Sequence, residues 1–293
     1  MPETTSKRSR WLGVTLVALG ALGFSSGIIF NRAITGLSGP EIAFFRALSG
    51  FAFFSALLTR YPEALHPRRY RATIPLLIGL GAAVGATATL YMTALRHTTA
   101  ATAVLLNNTS AVYVALLAPW LLHESRPRFT WVSLALALAG MVLIADPARL
   151  DLSLRGAGRI GLATSIGCGV TYAFVMLFSR KIGGRVGGVT QSWWSTGIAA
   201  LAALPFAFGA PWSAVRANWP YLLALGTVAL GIPYFLFFQG LKRIRAQTAS
   251  IVALLEPVAG VLIGARLYRE IPSVAGWIGI ALILASIVLI SRK

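Results

Sequence analysis

Apolar residues in this chain run together instead of alternating with polar ones. Windows near twenty residues long recur at 11–30, 40–58, 73–95, 99–122, 129–146, 159–179, 190–208, 219–240, 246–265 and 274–291, separated by short stretches that hold the charges and most of the turn formers. At ~1.5 Å of rise per residue, each window reaches across a hydrocarbon core of ~30 Å. The pattern therefore predicts an all-α membrane protein with ten transmembrane helices. Ten spans in 293 residues leave short connections and no room for a soluble domain. The start MPETTSKRSR before an apolar run resembles a signal peptide, but the run is of spanning length and no polar mature chain follows, so it is read as a retained first helix.

Composition supports this. The chain is 57% hydrophobic and 12% charged, against about 45–50% apolar and about 25% charged in an ordinary soluble domain. A net charge of +18 suggests nucleic acid until its placement is considered. Of the 26 Lys and Arg, 17 fall on the side of the N-terminus, eight on the other side, and Arg46 lies inside a span. By the positive-inside rule both termini are expected in the cytoplasm, and the surplus charge is topological. All eight Trp fall at span ends or in connections, as an aromatic belt requires.

The chain also repeats itself. At an offset of 146, residues 94–145 align without a gap on residues 240–291, with 16 of 52 positions identical, including Glu124 with Glu270 and Trp131 with Trp277. The earlier helices match more loosely, with a slip of one or two residues. Five helices per half is an odd number, so the second half must enter from the opposite face. The expected fold is two inverted five-helix repeats: 1–10 a cytoplasmic tail, 11–146 the first repeat, 147–158 an external linker, and 159–291 the second repeat. Inverted repeats of this kind place one substrate site at the midplane of many secondary transporters.

In each half an apolar helix is followed by a Glu in a short loop and then by a Trp-bearing, Gly/Ala-rich helix; GFSSGIIFNRAI and EIAFFRALSG stand near the start. These segments resemble the EamA repeat of the drug/metabolite transporter superfamily over essentially all of 11–291. The resemblance implies ten helices, both termini inside, and a central cavity lined chiefly by spans 1, 3, 4, 6, 8 and 9, with 5 and 10 as scaffold. Members often carry Pro in the fourth helix of each half. Here Pro257 has Ala111 opposite it, so the first half is expected to bend less there.

Other signals are weaker. GAGRIG at 156–161 fits GxGxxG but follows no predicted strand. His66, His97 and His123 have no ligand spacing, and Cys168 is single and read as a small packing residue. No nucleotide-binding loop or hydrolase motif is present, which disfavours an ATP-driven pump or an enzyme. The Gly pairs 23/27, 81/85 and 260/264 are read as close helix contacts.

Polar groups at depth carry the functional reading. Span 4 has Asn107, Asn108, Thr109 and Ser110 in succession near its midpoint, and the repeat pairs Ser110 with Glu256. Tyr113, Tyr172 and Tyr234 lie well inside spans and Tyr91 nearer an outer end; each either lines a cavity or bonds a neighbouring helix. Arg46, about six residues into span 2, either snorkels ~9 Å to the interface or pairs with Glu256. Glu256 is the one acidic residue near mid-membrane, where such residues usually mark a transport path. Pro257 beside it lacks an N–H, so the Ala253 carbonyl is expected to lose its helical donor and to face solute or water at a kink.

These readings converge on a secondary active or facilitative transporter working by alternating access. The family resemblance implies amino acids or related metabolites as cargo, export as the direction, and a multi-pass place in a cell inner membrane. Expected partners are a small-molecule substrate and the lipid bilayer, with proton coupling and oligomeric state left open; no cofactor, metal or nucleic acid is expected. The alternatives are a multidrug or cationic-solute exporter, and a non-transport membrane scaffold or lipid-handling protein.

Overall fold

A computed structural model describes residues 7–61 and 66–291. Residues 1–6 of the expected tail lie outside the described residues, and 7–10 already belong to the first helix. Helices follow one another as α1 (Lys7–Ser25), α2 (Gly27–Ala33), α3 (Gly39–Leu57), α4 (Ile74–His97), α5 (Ala100–Asn108), α6 (Ser110–Leu121) and α7 (Thr130–Ala145). Then come α8 (Gly156–Ile182), α9 (Gly188–Ala207), α10 (Trp212–Gly226), a π-helical turn (Thr227–Gly231), α11 (Ile232–Leu241), α12 (Ala246–Val252), α13 (Leu255–Tyr268) and α14 (Val274–Ser291). No strand occurs among the described residues, and α8 starts at Gly156, so GAGRIG lacks the strand a dinucleotide site needs.

Among the described residues, eight helical segments are long and apolar enough to cross a membrane, and Thr130–Ala145 is a shorter apolar helix. The remaining window forms α9, which has 20 residues but carries Thr190, Gln191, Ser192, Ser195 and Thr196, all buried inside the protein.

Four segments are interrupted. The α1/α2 break follows from sequence chemistry: Ser25 and Ser26 turn their hydroxyls back onto the carbonyls of Leu22 and Gly23, each at 2.6 Å, and Gly27 follows. Such back-bonding next to Gly loosens a helix. At the α5/α6 break Thr109 does the same, with Oγ1 2.5 Å from the Leu106 carbonyl. The α10/α11 rod passes through the π turn, and α12/α13 parts at Ala253 and Leu254. Two expectations are corrected here. The first half does break, despite Ala111, because Thr109 supplies the interruption that Pro supplies elsewhere. The Ala253 carbonyl is not free, since the Glu256 N–H reaches it at 2.9 Å in a tighter turn and Pro257 sits inside the first turn of α13.

Small residues set the packing. A Cβ on Gly81 would stand 2.6 Å from Ile198 Cβ, one on Gly23 2.7 Å from Pro233 Cγ, and one on Gly140 2.6 Å from the Gly279 carbonyl. Close backbone approach therefore fixes α4 on α9, α1 on α11, and α7 on α14. Arg10 donates to the Ser291 carbonyl, so the start of α1 and the end of α14 share one face. Trp11, Trp120, Trp131, Trp212, Trp219 and Trp277 are exposed, while Trp193 donates to Ser55 Oγ at 2.9 Å and Trp194 lies against Tyr70.

Candidate translocation site

The four breaks surround one cavity of about 890 Å³. Its mouth is bordered by Arg32, Asp146, Arg149 and Glu270 to Ser273, all at the face opposite the chain ends. Its walls come from α1, α2, α3, α4, α5, α8, α9 and α13, with contributions from α7 and from the α10/α11 rod. Toward the chain-end face the interior is filled by Leu77, Leu80, Met176, Phe237, Phe238 and Leu241.

Glu256, Pro257, Arg46, Asn107, Asn108, Tyr91, Tyr172 and Tyr234 all border this cavity. Ser110 and Tyr113 do not. Past the Thr109 break α6 turns into the closed half against α8 and α12; Ser110 is 2% exposed there, and Tyr113 packs on the main apolar cluster. Span 4 thus divides its polar turn, with the two Asn on the cavity and Ser110 in the protein interior.

The cavity's charges stand apart. Arg46 neither snorkels nor pairs with Glu256: its Nη2 points to the Ala229 carbonyl in the π turn at 3.4 Å, and its buried Nε has no partner among the described residues. The Glu256 carboxylate makes no hydrogen bond or ion pair among them either; the ion pairs present are Arg32–Glu270, Arg149–Asp146 and Arg180–Glu124. An unpaired carboxylate and a guanidinium with an unpartnered N–H therefore border one solute-sized cavity, where each is free to meet a ligand.

The surrounding polar groups are better tied. Asn107 Oδ1 accepts from the Cys168 thiol at 3.0 Å, while Asn108 Nδ2 bonds back to the Val104 carbonyl at 2.9 Å. Thr87 and Thr171 join α4 to α8 at 2.9 Å. Tyr234 is stacked on Phe238 and meets the edge of Phe24, both with centroids 5.0 Å apart, which fixes its ring at the wall.

Two ion pairs mark the two faces. At the cavity mouth Arg32 donates to both oxygens of Glu270, at 2.8 and 3.2 Å, and the pair is about half exposed. Hydrogen bonding by Arg32 holds the Glu270 carboxyl below its ordinary value, so it is ionised at neutral pH. At the chain-end face Arg180 Nε donates to Glu124 at 2.5 Å and its Nη1 to the carbonyls of Leu241 and Lys242 at 3.0 and 2.9 Å. The second Glu124 oxygen accepts the Ala246 N–H, the first of α12, at 3.0 Å. Cys168, Thr87, Arg32, Arg180 and both Glu residues were not singled out as site residues from sequence. The signal for the Glu residues was their identity across the repeat. For the Arg residues it was FNRAI at 30–34 against FSRKI at 178–182.

The family model for EamA-like transporters matches residues 11–145 and again residues 159–292. An uncharacterized transporter of Archaeoglobus fulgidus is 28% identical over 283 residues, covering 96% of this chain and 97% of that protein. The uncharacterized transporter YwfM of Bacillus subtilis is 27% identical over 206 residues, 69% of this chain and 68% of its own length. A solved protein structure superposes with a TM-score of 0.80 at 20% identity, covering 96% of this chain and 98% of that one, a likeness of fold alone. Matched twice along nearly its whole length and built of apolar helices around one central cavity, the chain belongs to the EamA-like transporter family.

Proposed function

We propose that this transporter moves small organic solutes, amino acids or related metabolites, by alternating access, and that the conformation described is open to the outside. The observation that carries the reading is a cavity reached from one face only, holding an unpaired carboxylate at Glu256 and an incompletely bonded guanidinium at Arg46. A zwitterion offers an ammonium to the first and a carboxylate to the second, with Tyr91, Tyr172, Tyr234 and Asn107 supplying hydrogen bonds. The 17-to-8 split of basic residues supports both termini in the cytoplasm, while the inner-membrane location, the amino-acid cargo and export as the direction rest on the family resemblance. We read ten crossings, with the short α7 and the polar α9 counted among them, in two inverted repeats at 11–146 and 159–291 joined by an external stretch at 147–158.

Flux in proteoliposomes with a panel of amino acids and amines, with and without a proton gradient, tests this. Amino-acid counterflow that falls on Arg46→Gln and on Glu256→Gln is the expected result. Three tyrosines beside Glu256 favour one competing reading, a cationic-solute exporter, because ring faces and a carboxylate both attract cations. Amine flux that survives Arg46→Gln decides for that alternative. Absence of flux for every solute leaves a scaffold or lipid-handling role.

A further inference from the structure

Behind the Arg180–Glu124 pair lies a set of polar side chains with no use in the structure as it stands. Gln247, the second residue of α12, is fully buried and neither its amide nitrogen nor its oxygen has a partner among the described residues. Gln191 is equally buried; its oxygen accepts from Ser179 at 2.7 Å, while its nitrogen has no partner. Leaving buried amide groups unmade is costly. These groups gain if some other state of the protein exposes them.

The internal repeat says which state. The gapless offset of 146 carries Ala101 and Val104, which border the open cavity, onto Gln247 and Ser250, and carries Glu256 back onto Ser110. The FNRAI/FSRKI match carries Asn31 and Arg32 onto Ser179 and Arg180. The same two rules carry Arg32–Glu270 onto Arg180–Glu124. Each half thus contributes one Arg and one Glu, and the two pairs, each joining one half to the other, lie at opposite faces. The pair at the mouth is half exposed, whereas the other is mostly buried, with side chains 24% and 13% exposed, and is bonded into the ends of α11 and α12.

We infer that the closed half of the translocation path runs from the cavity to the chain-end face past Ser110, Ser250, Gln247 and Ser179 with Gln191, and that Arg180–Glu124 is the latch that shuts it. The inference rests on the alternating-access reading above. Opening requires Arg180 to release two carbonyls and Glu124 to release the α12 N-terminus, which frees α12 to leave α8 and wets the two glutamines. In that state Arg32–Glu270 takes the sealed role, with the Ala100 N–H, equivalent to that of Ala246, as the donor available to Glu270.

The test uses the full chain with Cys168→Ser, carrying either Gln247→Cys or Ala101→Cys, labelled by a charged thiol reagent applied to one face at a time. Arg180→Gln cuts the latch, and Glu124→Gln serves as a second, milder cut. Labelling at position 247 from the chain-end face should rise at least roughly tenfold, the population shift expected from each charged hydrogen bond lost, while labelling at position 101 from the opposite face falls. Two rates that rise together report loosening of the fold and overturn the inference, as does a position 247 that stays protected in both latch variants. Flux by the unmodified chain separates the two readings. Flux without reciprocal labelling removes this path and keeps the transporter, whereas reciprocal labelling without flux does the reverse.

Discussion

Glu256→Gln separates a ligand-binding carboxylate from a structural one. Had Glu256 held Arg46 in a buried ion pair, its neutralisation would strand a guanidinium and cost about 3–5 kcal/mol. The structure gives the Glu256 carboxylate no ion pair and no hydrogen bond, and Arg46 leans instead on the Ala229 carbonyl. The expected loss of stability is therefore under about 1 kcal/mol, the scale of a substitution that removes no partner. Glu124→Ala is the contrasting case: it removes Arg180's carboxylate and orphans the Ala246 N–H, and should cost about 3 kcal/mol, the low end for a broken pair because this one is partly exposed. Transport should respond the other way. Losing a charged hydrogen bond to a solute ammonium is worth about 1.5–3 kcal/mol, or roughly 10- to 100-fold in uptake at limiting solute. Unfolding in detergent followed by Trp fluorescence, with counterflow in proteoliposomes, reads both quantities. Equal destabilisation by Glu256→Gln and Glu124→Ala, with recovery on adding Arg46→Gln, would show that an ion pair exists after all. A stable Glu256→Gln protein with full flux and unaltered pH dependence would remove Glu256 from the mechanism.

Asn107→Leu should lower transport with little loss of folded protein, because Asn107 borders the cavity and its one bond is to the Cys168 thiol; a comparable loss of folded protein in a detergent extract would count for packing instead. Asn218→Leu should destabilise by about 2–4 kcal/mol without altering solute preference, since this buried amide holds both the N–H and the carbonyl of Thr35; denaturation curves and relative fluxes check it. Cysteines at Arg68 and Arg149 in a Cys168→Ser chain should label from opposite faces with an impermeant reagent, and equal labelling from one face would sink the inverted arrangement.

The spans were legible because their signal is a long-range sum: roughly twenty apolar residues must accumulate before a helix can face lipid. The offset of 146 was legible for the same reason, as a sum over 52 positions. What the sequence concealed was decided by single residues. Thr109 breaks α5/α6 through one hydroxyl, and a search for Pro passes over it. Ser110 follows the break and so points into the closed half, although its three neighbours in sequence suggested one shared polar surface. Arg46 was weighed against Glu256 because both are charged and deep, but its observed acceptor is a backbone carbonyl in a π turn, which hydropathy does not register.

Asymmetry between equivalent residues is what turns this fold into a reading of function. Two halves with matching sequence would reach their lowest energy in matching environments if the protein had a single state. Instead Glu256 borders the cavity while Ser110 is 2% exposed, and Ala101 faces the same cavity while Gln247 is shut away with its amide unpartnered. The polar member of the second pair lies in the half where it is least satisfied. A sequence under pressure for stability alone would place Ala at 247 and accept Gln at 101, beside the cavity; the reverse choice is favoured only if position 247 spends part of its time facing water. Likewise the latch at Arg180 collects four bonds where the rim pair at Arg32 makes two, both to one partner. On the alternating-access proposal, the difference in bonding between two sequence-equivalent devices marks the closed face, and the polar groups trapped behind the stronger one supply a drive to open it.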